Sequence, residues 1–499
     1  ALPETIGSDR VGALWPDSSG VMWVGTWGQG LARHDPRARA FRAIRFTPSR
    51  PNGLTHPEIV RALARPDGTI WAGTNGNGID VLDSQGRRID AFRPDPKSTK
   101  GTLADGAITC LAAEPNGAIW VATLNGTLHR LPPGSRVFDR LTTANGLPGG
   151  PIRALVLGPD GQLWAGSAEG LARIDPQTLA VVGFRHRPED STTLSGIAVE
   201  ALAFDARGTL WVGTDNGLNA FDPRNGTAVR IPYEPERPEG LPAAWIPDLM
   251  IAKDGRLWVA TPSGAAILTS WDGQNARFES IAERLDRARF QSRAAASVEA
   301  LIEDHEGQVW LGPRLRVNPK TWSFQEFGPA DGVAFHEFFI ASRSASSDGA
   351  LLFGSPEGLL ITRPERLAAW TFEPRVVATS LSVDGIERLG AARLERLTIE
   401  PSERNFRLEF AALDLSAPAR NRYRYRLVGY DPRWTAVGAA QRSASYTRVP
   451  PGRYTLEVQG TNRAGFWSPH ALTLPVNVLP AFHQTAAFRA VAALALLGL

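Results

Sequence analysis

The sequence predicts an all-β chain, a ring of repeated four-strand units followed by a small sandwich, and three observations predict it. A Trp-x-Gly-Thr tetrapeptide or near variant recurs every 42–52 residues through most of the chain. Between copies, apolar residues alternate with period two, not with the 3.6 period of a helix. A Gly stands three residues before each copy, often within Asp-Gly or Asn-Gly, the chemistry of tight hairpins. Repeats of about 45 residues holding four short strands are the signature of a β-propeller.

The copies are Trp23-Val-Gly-Thr26, Trp71-Ala-Gly-Thr74, Trp120-Val-Ala-Thr123, Trp164-Ala-Gly-Ser167, Trp211-Val-Gly-Thr214, Trp258-Val-Ala-Thr261 and Trp310-Leu-Gly-Pro313. An eighth, Leu352-Phe-Gly-Ser355, replaces Trp with Leu. In each unit a short strand such as Val60–Leu63 or Val199–Leu202 leads into the hairpin and then the Trp strand. A polar loop, a third strand often ending in Asp-Pro, and a weaker fourth strand such as Phe41–Ile44 follow. A large flat side chain in nearly every second strand suits packing between blades, not cofactor binding. The eight units span residues 8–366. The eighth has no clear fourth strand, so the N-terminus is expected to supply one. Either eight blades close the ring, or the first unit belongs to a preceding propeller and seven remain.

Residues 374–480 lose the repeat and keep the alternation, as in Phe406–Phe410, Tyr423–Leu427, Tyr454–Val458 and Leu472–Val476. Strands at that spacing over about 100 residues predict an immunoglobulin- or fibronectin-like sandwich. With a single cysteine, Cys110, no disulfide can form within the chain, and that thiol is expected as a small buried strand residue. The segment 485–499 is apolar apart from Thr485 and Arg489. It is too short to span a bilayer and reads as the start of a transmembrane helix. Ala1 in place of Met is expected to mark a removed signal or a cut.

The charge is 54 basic against 51 acidic residues, too even to argue for nucleic acid. No His-Glu-x-x-His, third-Gly dinucleotide fingerprint, calcium loop or Gly-x-Ser-x-Gly elbow occurs. No cofactor and no metal are therefore expected.

Strand parity places the candidate site. With four antiparallel strands per blade, the first-to-second hairpins share one face of the ring. The second-to-third loops and the interblade loops share the other, and these are longer and chemically varied. From the second-to-third loops come Trp27, Asn75, Asn77, Asn125, Glu169, Asp215 and Asn216. From the interblade loops come His56, Arg153, Trp245, Arg293, His336 and Glu337, with Glu58 and Asp105 beside them. Aromatic, amide, carboxylate and guanidinium groups around an axial mouth suit a small polar ligand or an oligosaccharide.

The Trp-x-Gly-Thr units with their Asp-Gly turns resemble the two-component regulator propeller repeat. Tyr423–Trp434, Tyr446–Tyr454 and Asn462–Ser468 resemble the triple-tyrosine (Y_Y_Y) domain, and Leu479–Thr485 resembles the junction leading to its membrane helix. The arrangement is similar to the periplasmic sensing regions of bacterial membrane receptors, whose family often carries fourteen repeats in two rings. The resemblance implies a ligand-sensing region on the periplasmic face of the inner membrane, acting as a homodimer through sandwich and membrane helix. It also implies an output domain, a histidine kinase, hybrid kinase or diguanylate cyclase, whose motifs this chain lacks. The alternatives are a propeller lyase, which needs a metal and a His base, and a non-signalling interaction scaffold. The tyrosines Tyr423, Tyr425, Tyr430, Tyr446 and Tyr454 are expected as core and corner residues with hydroxyls bonded to backbone.

Overall fold

The computed structural model describes residues 10–35, 38–95, 101–287, 298, 300–388 and 395–497. The chain divides into two compact bodies, 38–367 and 1–37 with 368–499.

The first body contains seven four-stranded antiparallel sheets. Blades 1 to 6 occupy residues 59–92, 108–141, 152–184, 199–231, 248–280 and 301–326. Blade 7 uses 343–362 for three strands and takes Phe41–Arg45 as its fourth, paired antiparallel with Gly358–Thr362. The first strands touch one another in a closed cycle, blade 7 returning to blade 1. The ring is therefore a seven-bladed propeller closed by its own N-terminal strand.

The tetrapeptide explains the closure. Trp71 shares a buried cluster with Ile119 and Val121, which flank the Trp of blade 2. Trp120 meets Leu163 and Ala165 in the same way, and Trp164 meets Leu210 and Val212. The pattern continues through Trp211, Trp258 and Trp310, and Leu352 of blade 7 meets Ile70 and Ala72 of blade 1. Each Trp is thus the wedge between its own blade and the next, as the sequence led one to expect. The Gly leaves room for that neighbour. A Cβ at Gly73 would lie 2.7 Å from Ile108 Cγ2 of the following blade, and one at Gly213 2.7 Å from Ile246 Cγ2 in the loop entering the following blade. The Thr closes the loop after the strand. Thr74 Oγ1 donates to the Gly78 carbonyl at 2.8 Å, and Thr214 Oγ1 to that of Gly217 at 2.8 Å.

Many of the wedges have a polar anchor six residues upstream. The indole N–H of Trp120 donates to Glu114 at 2.8 Å, Trp211 to Asp205 at 3.1 Å and Trp310 to Asp304 at 2.9 Å. A second anchor lies in the third strand, beside the residue after the Trp. There Asp80, His129 and Asn219 each accept the N–H of the loop entering their own blade, from Thr55, Ala104 and Ser195 at 2.8, 3.0 and 2.8 Å. Three residue types perform one structural task. Cys110 is buried in the first strand of blade 2, as expected, and burial pushes its thiol pKa up.

The first repeat copy separates from the ring expected over 8–366. Its strands Val11–Pro16, Met22–Thr26 and Gly30–His34 form a three-stranded sheet assigned to the second body, and only its fourth strand joins the propeller. The reason is an open edge: the eighth copy ends after Thr362 with its third strand unpaired, and Phe41–Arg45 fills that place.

The second body also holds the sandwich. Ile386–Arg388, Val376–Val383, Asn405–Ala412 and Ser443–Thr447 make one sheet. Leu397–Ile399, Leu472–Val478, Gly452–Gly460, Arg422–Val428 and Thr435–Gly438 make the other. Their inward faces form one core around Leu408, Phe410, Leu427 and Leu456. The tail forms a helix, Ala486–Leu497, of 12 residues. Among the described residues no helix is long and apolar enough to cross a membrane.

Candidate functional site

The geometry of the ring sets what can meet at its mouth. Because the first strands line the axis, their polar side chains reach across it. Arg61 of blade 1 donates to the carbonyl of Ile340, ahead of blade 7, at 2.5 Å, and to that of Arg153 in blade 3 at 3.4 Å. Arg343 of blade 7 reaches past blade 6 to grip Asp248 of blade 5 through two bonds of 2.7 and 2.6 Å. Asp248 also accepts the Leu301 N–H of blade 6 at 2.8 Å. Arg153 pairs with Glu200 of blade 4. Guanidinium and carboxylate groups from five blades thus form an axial polar network. Asp248 and Glu200 are buried, while the side chain of Arg153 is 42% exposed.

Of these five, only Arg153 was among the expected site residues. Arg61 and Glu200 lie in runs that read as ordinary alternation, and nothing in a single strand's pattern tells an outward residue from an axial one. The available signal was charge at the first-strand position of Arg61 and Asp248, where other blades carry Ala, Cys or Ser.

Most of the other expected residues hold their own loops. Asn75 Nδ2 donates to Glu58 at 2.5 Å, and Asn77 Nδ2 to the Thr55 carbonyl at 3.4 Å. Asp215 accepts the Ala198 N–H at 3.2 Å and Asn216 donates to the Ser195 carbonyl at 3.1 Å. These four tie a second-to-third loop to the loop entering the same blade. Asn125 closes its own turn by accepting from Thr123 and Thr127. Glu169 faces Arg185 at 3.7 Å, with both exposed. His56 Nδ1 accepts the Glu58 N–H at 3.1 Å.

At blade 7, Glu357 organises the loop containing His336 and Glu337. It accepts the His336 N–H at 2.8 Å and pairs with Arg45 at 2.9 Å. Burial works to raise the Glu357 pKa, but the bonds from Arg45 and His336 outweigh it and hold the carboxyl below its usual range. Trp245, 36% exposed, and Glu337 are open to solvent. Arg293 lies outside the described residues. Trp27 is a correction: it sits in the turn between the second and third strands of the three-stranded sheet of the second body and does not belong to the ring, because the first repeat copy leaves it. Among the described residues no three His, Cys, Asp or Glu side chains are grouped to hold a metal.

In the sandwich, the Tyr423 hydroxyl accepts the Ala412 N–H at 3.1 Å and Tyr454 donates to the Pro450 carbonyl at 3.0 Å. Tyr446 instead donates to the Asp431 carboxylate at 2.5 Å, and burial together with that carboxylate pushes its pKa far up. Tyr430 is largely exposed. The backbone-bonded expectation therefore fits Tyr423 and Tyr454, while Tyr446 bonds an acid that also accepts the Leu427 N–H at 2.7 Å.

Comparison with known proteins agrees with this two-part fold. Residues 414–479 match the Y_Y_Y domain family. Histidine kinase P4 of Formosa agariphila is 24% identical over 198 residues, covering 37% of this chain and 14% of that protein. The extracellular domain of a B. thetaiotaomicron protein described as a hybrid two-component system superimposes with a TM-score of 0.76 at 21% identity. That match covers 95% of this chain and 62% of the other. The chain therefore spans a minor part of the kinase and less than two thirds of the solved domain. Virginiamycin B lyase of Staphylococcus aureus aligns at a TM-score of only 0.46 and 12% identity, over 64% of this chain and 98% of that one. The chain thus carries a Y_Y_Y domain at 414–479 and, over nearly its whole length, the fold of the extracellular domain of a hybrid two-component system.

Proposed function

We propose that this chain is the extracytoplasmic ligand-sensing region of a transmembrane signalling protein, and that ligand is taken at the loop-bearing mouth of the propeller. The observation that carries the reading is convergence on one face. The axial network stands on the first strands, and Trp245 and Glu337 belong to the interblade loops that lead into the first strands of blades 5 and 7, on a ring joined in sequence to a Y_Y_Y domain. Exposed aromatic surface beside amide, carboxylate and guanidinium groups suits a polar ligand such as an oligosaccharide. The fold likeness to a two-component extracellular domain and the partial likeness to a histidine kinase support the signalling role.

In this reading catalysis belongs to a histidine kinase, hybrid kinase or diguanylate cyclase on the far side of the inner membrane, and the chain itself binds without turning over. It works as a homodimer through the sandwich and a membrane helix beginning in 485–499. A cell-based reporter driven by the full-length protein tests this. Saccharide-dependent output that disappears when residues 38–367 are deleted is expected. Output that persists without the propeller would contradict it.

A further inference from the structure

Blades 1, 3 and 5 lack the acid that anchors the other wedges, and blade 1 carries an arginine in its place, beside a pocket. Six residues before the Trp, blade 2 has Glu114, blade 4 Asp205 and blade 6 Asp304, each accepting the indole N–H. Blade 1 has Arg65 at that position, a donor that cannot accept. Among the described residues no acceptor reaches the Trp71 N–H. The Arg65 Nε is buried without a partner, while its Nη1 donates to the Gly117 carbonyl at 3.0 Å. Trp164 and Trp258 also have unpartnered indole N–H groups, but both are wholly buried. A cavity lies beside Trp71.

That cavity, of about 400 Å³, lies between blades 1 and 2 on the hairpin face, away from the mouth. Arg65, Trp71, Asp90, Phe92, Pro132 and Arg136 line it. Phe92 stacks on Trp71 at 5.0 Å and 25°, and Arg136 lies 5.0 Å over the Phe92 ring while pairing with Asp90 at 2.7 and 3.1 Å. Arg65 and Arg136 bring two positive charges to the lining, where Asp90 pairs with Arg136 and the Asp67 carboxylate acts on Arg65. Asp67, in the Arg65 hairpin, is committed to Thr69 through bonds of 2.9 and 2.6 Å. An acceptor entering here would meet the donors that blade 2 satisfies with its own acid, Glu114.

We infer that this interblade pocket binds a small carboxylate carried on a compact ring, such as an acidic monosaccharide. The carboxylate takes the place of the missing acid, accepting from the outer Arg65 guanidinium and the Trp71 indole. The ring lies against Phe92 and Pro132, and Arg136 adds charge.

Calorimetric titration with glucuronate, glucose and inorganic sulfate tests the assignment. Saturable glucuronate binding is expected, with glucose at least tenfold weaker. Arg65→Glu installs the acid that blade 2 already has, so it should abolish binding while keeping or raising the melting temperature. Arg65→Gln should weaken binding at least tenfold and serves if the Glu variant misfolds. Glucuronate binding undiminished in both variants, glucose binding as tightly, or no glucuronate binding at all would overturn the proposal. Sulfate binding as tightly as glucuronate would overturn the part played by the ring.

Discussion

The tetrapeptide was legible residue by residue because each member has one physical task that repeats. Trp fills the gap to the next blade, Gly admits that blade's β-branched residue, and Thr closes the following loop. Truncating Trp211, which is 2% exposed, should therefore cost about 3–5 kcal/mol in urea unfolding. A near-native midpoint would remove the wedge from the account. His129 was not legible, since a scattered histidine gives no sign of its burial. It is wholly buried, and burial, with the nearby charge of Arg140, lowers its pKa to about 4. An unfolded histidine titrates near 6.5, so the neutral folded form contributes stability that is complete above about pH 6.5. That contribution falls away as the pH drops toward 4, by on the order of 3 kcal/mol. His129→Asn keeps an acceptor of the kind Asn219 provides in blade 4 and should flatten the loss between pH 6.5 and 4. An unchanged pH profile in the variant would show that His129 is not its source.

At the scale of elements, the strands and hairpins could be read from alternation and Asp-Gly turns, and the missing fourth strand of the last copy pointed correctly to the N-terminus. The sequence alone could not choose between seven and eight blades, because the first copy looks like all the others. What decides is strand pairing, which depends on an open edge more than 300 residues away in the chain: Phe41↔Thr362 and Arg45↔Gly358. The ring should accordingly fold as the fragment 38–367. A fragment starting at residue 47 lacks the closing strand, exposes the edge of Gly358–Thr362 and should lose cooperative melting or aggregate. Equal melting of the two fragments would contradict closure by that strand. In the sandwich, the tyrosine-rich strands were legible as core because their alternation is strict, whereas the Asp431 hub under Tyr446 depends on a turn whose shape the alternation does not encode.

For the whole molecule, the two-part architecture was visible from the change of repeat near residue 370, and the site was visible only as a face. Parity arguments select a side of a ring, but they cannot separate residues that hold loops together from residues left free to bind. Asn75, Asn77, Asp215 and Asn216 proved to be loop ties, while the axial charges of Arg61, Glu200, Asp248 and Arg343 emerged only once the strands were arranged around a common axis. The central claim is that the loop-bearing mouth receives the ligand. Its most direct test is calorimetric titration of neutral trisaccharides, which the Arg65 pocket does not take, into the wild-type chain, a Trp245→Ala/Glu337→Ala variant and the hairpin-face variant Asp160→Ala. The account predicts that a trisaccharide binds wild type and Asp160→Ala alike and fails to bind the double variant while its melting temperature is retained. Binding that survives in the double variant and vanishes in Asp160→Ala would contradict it.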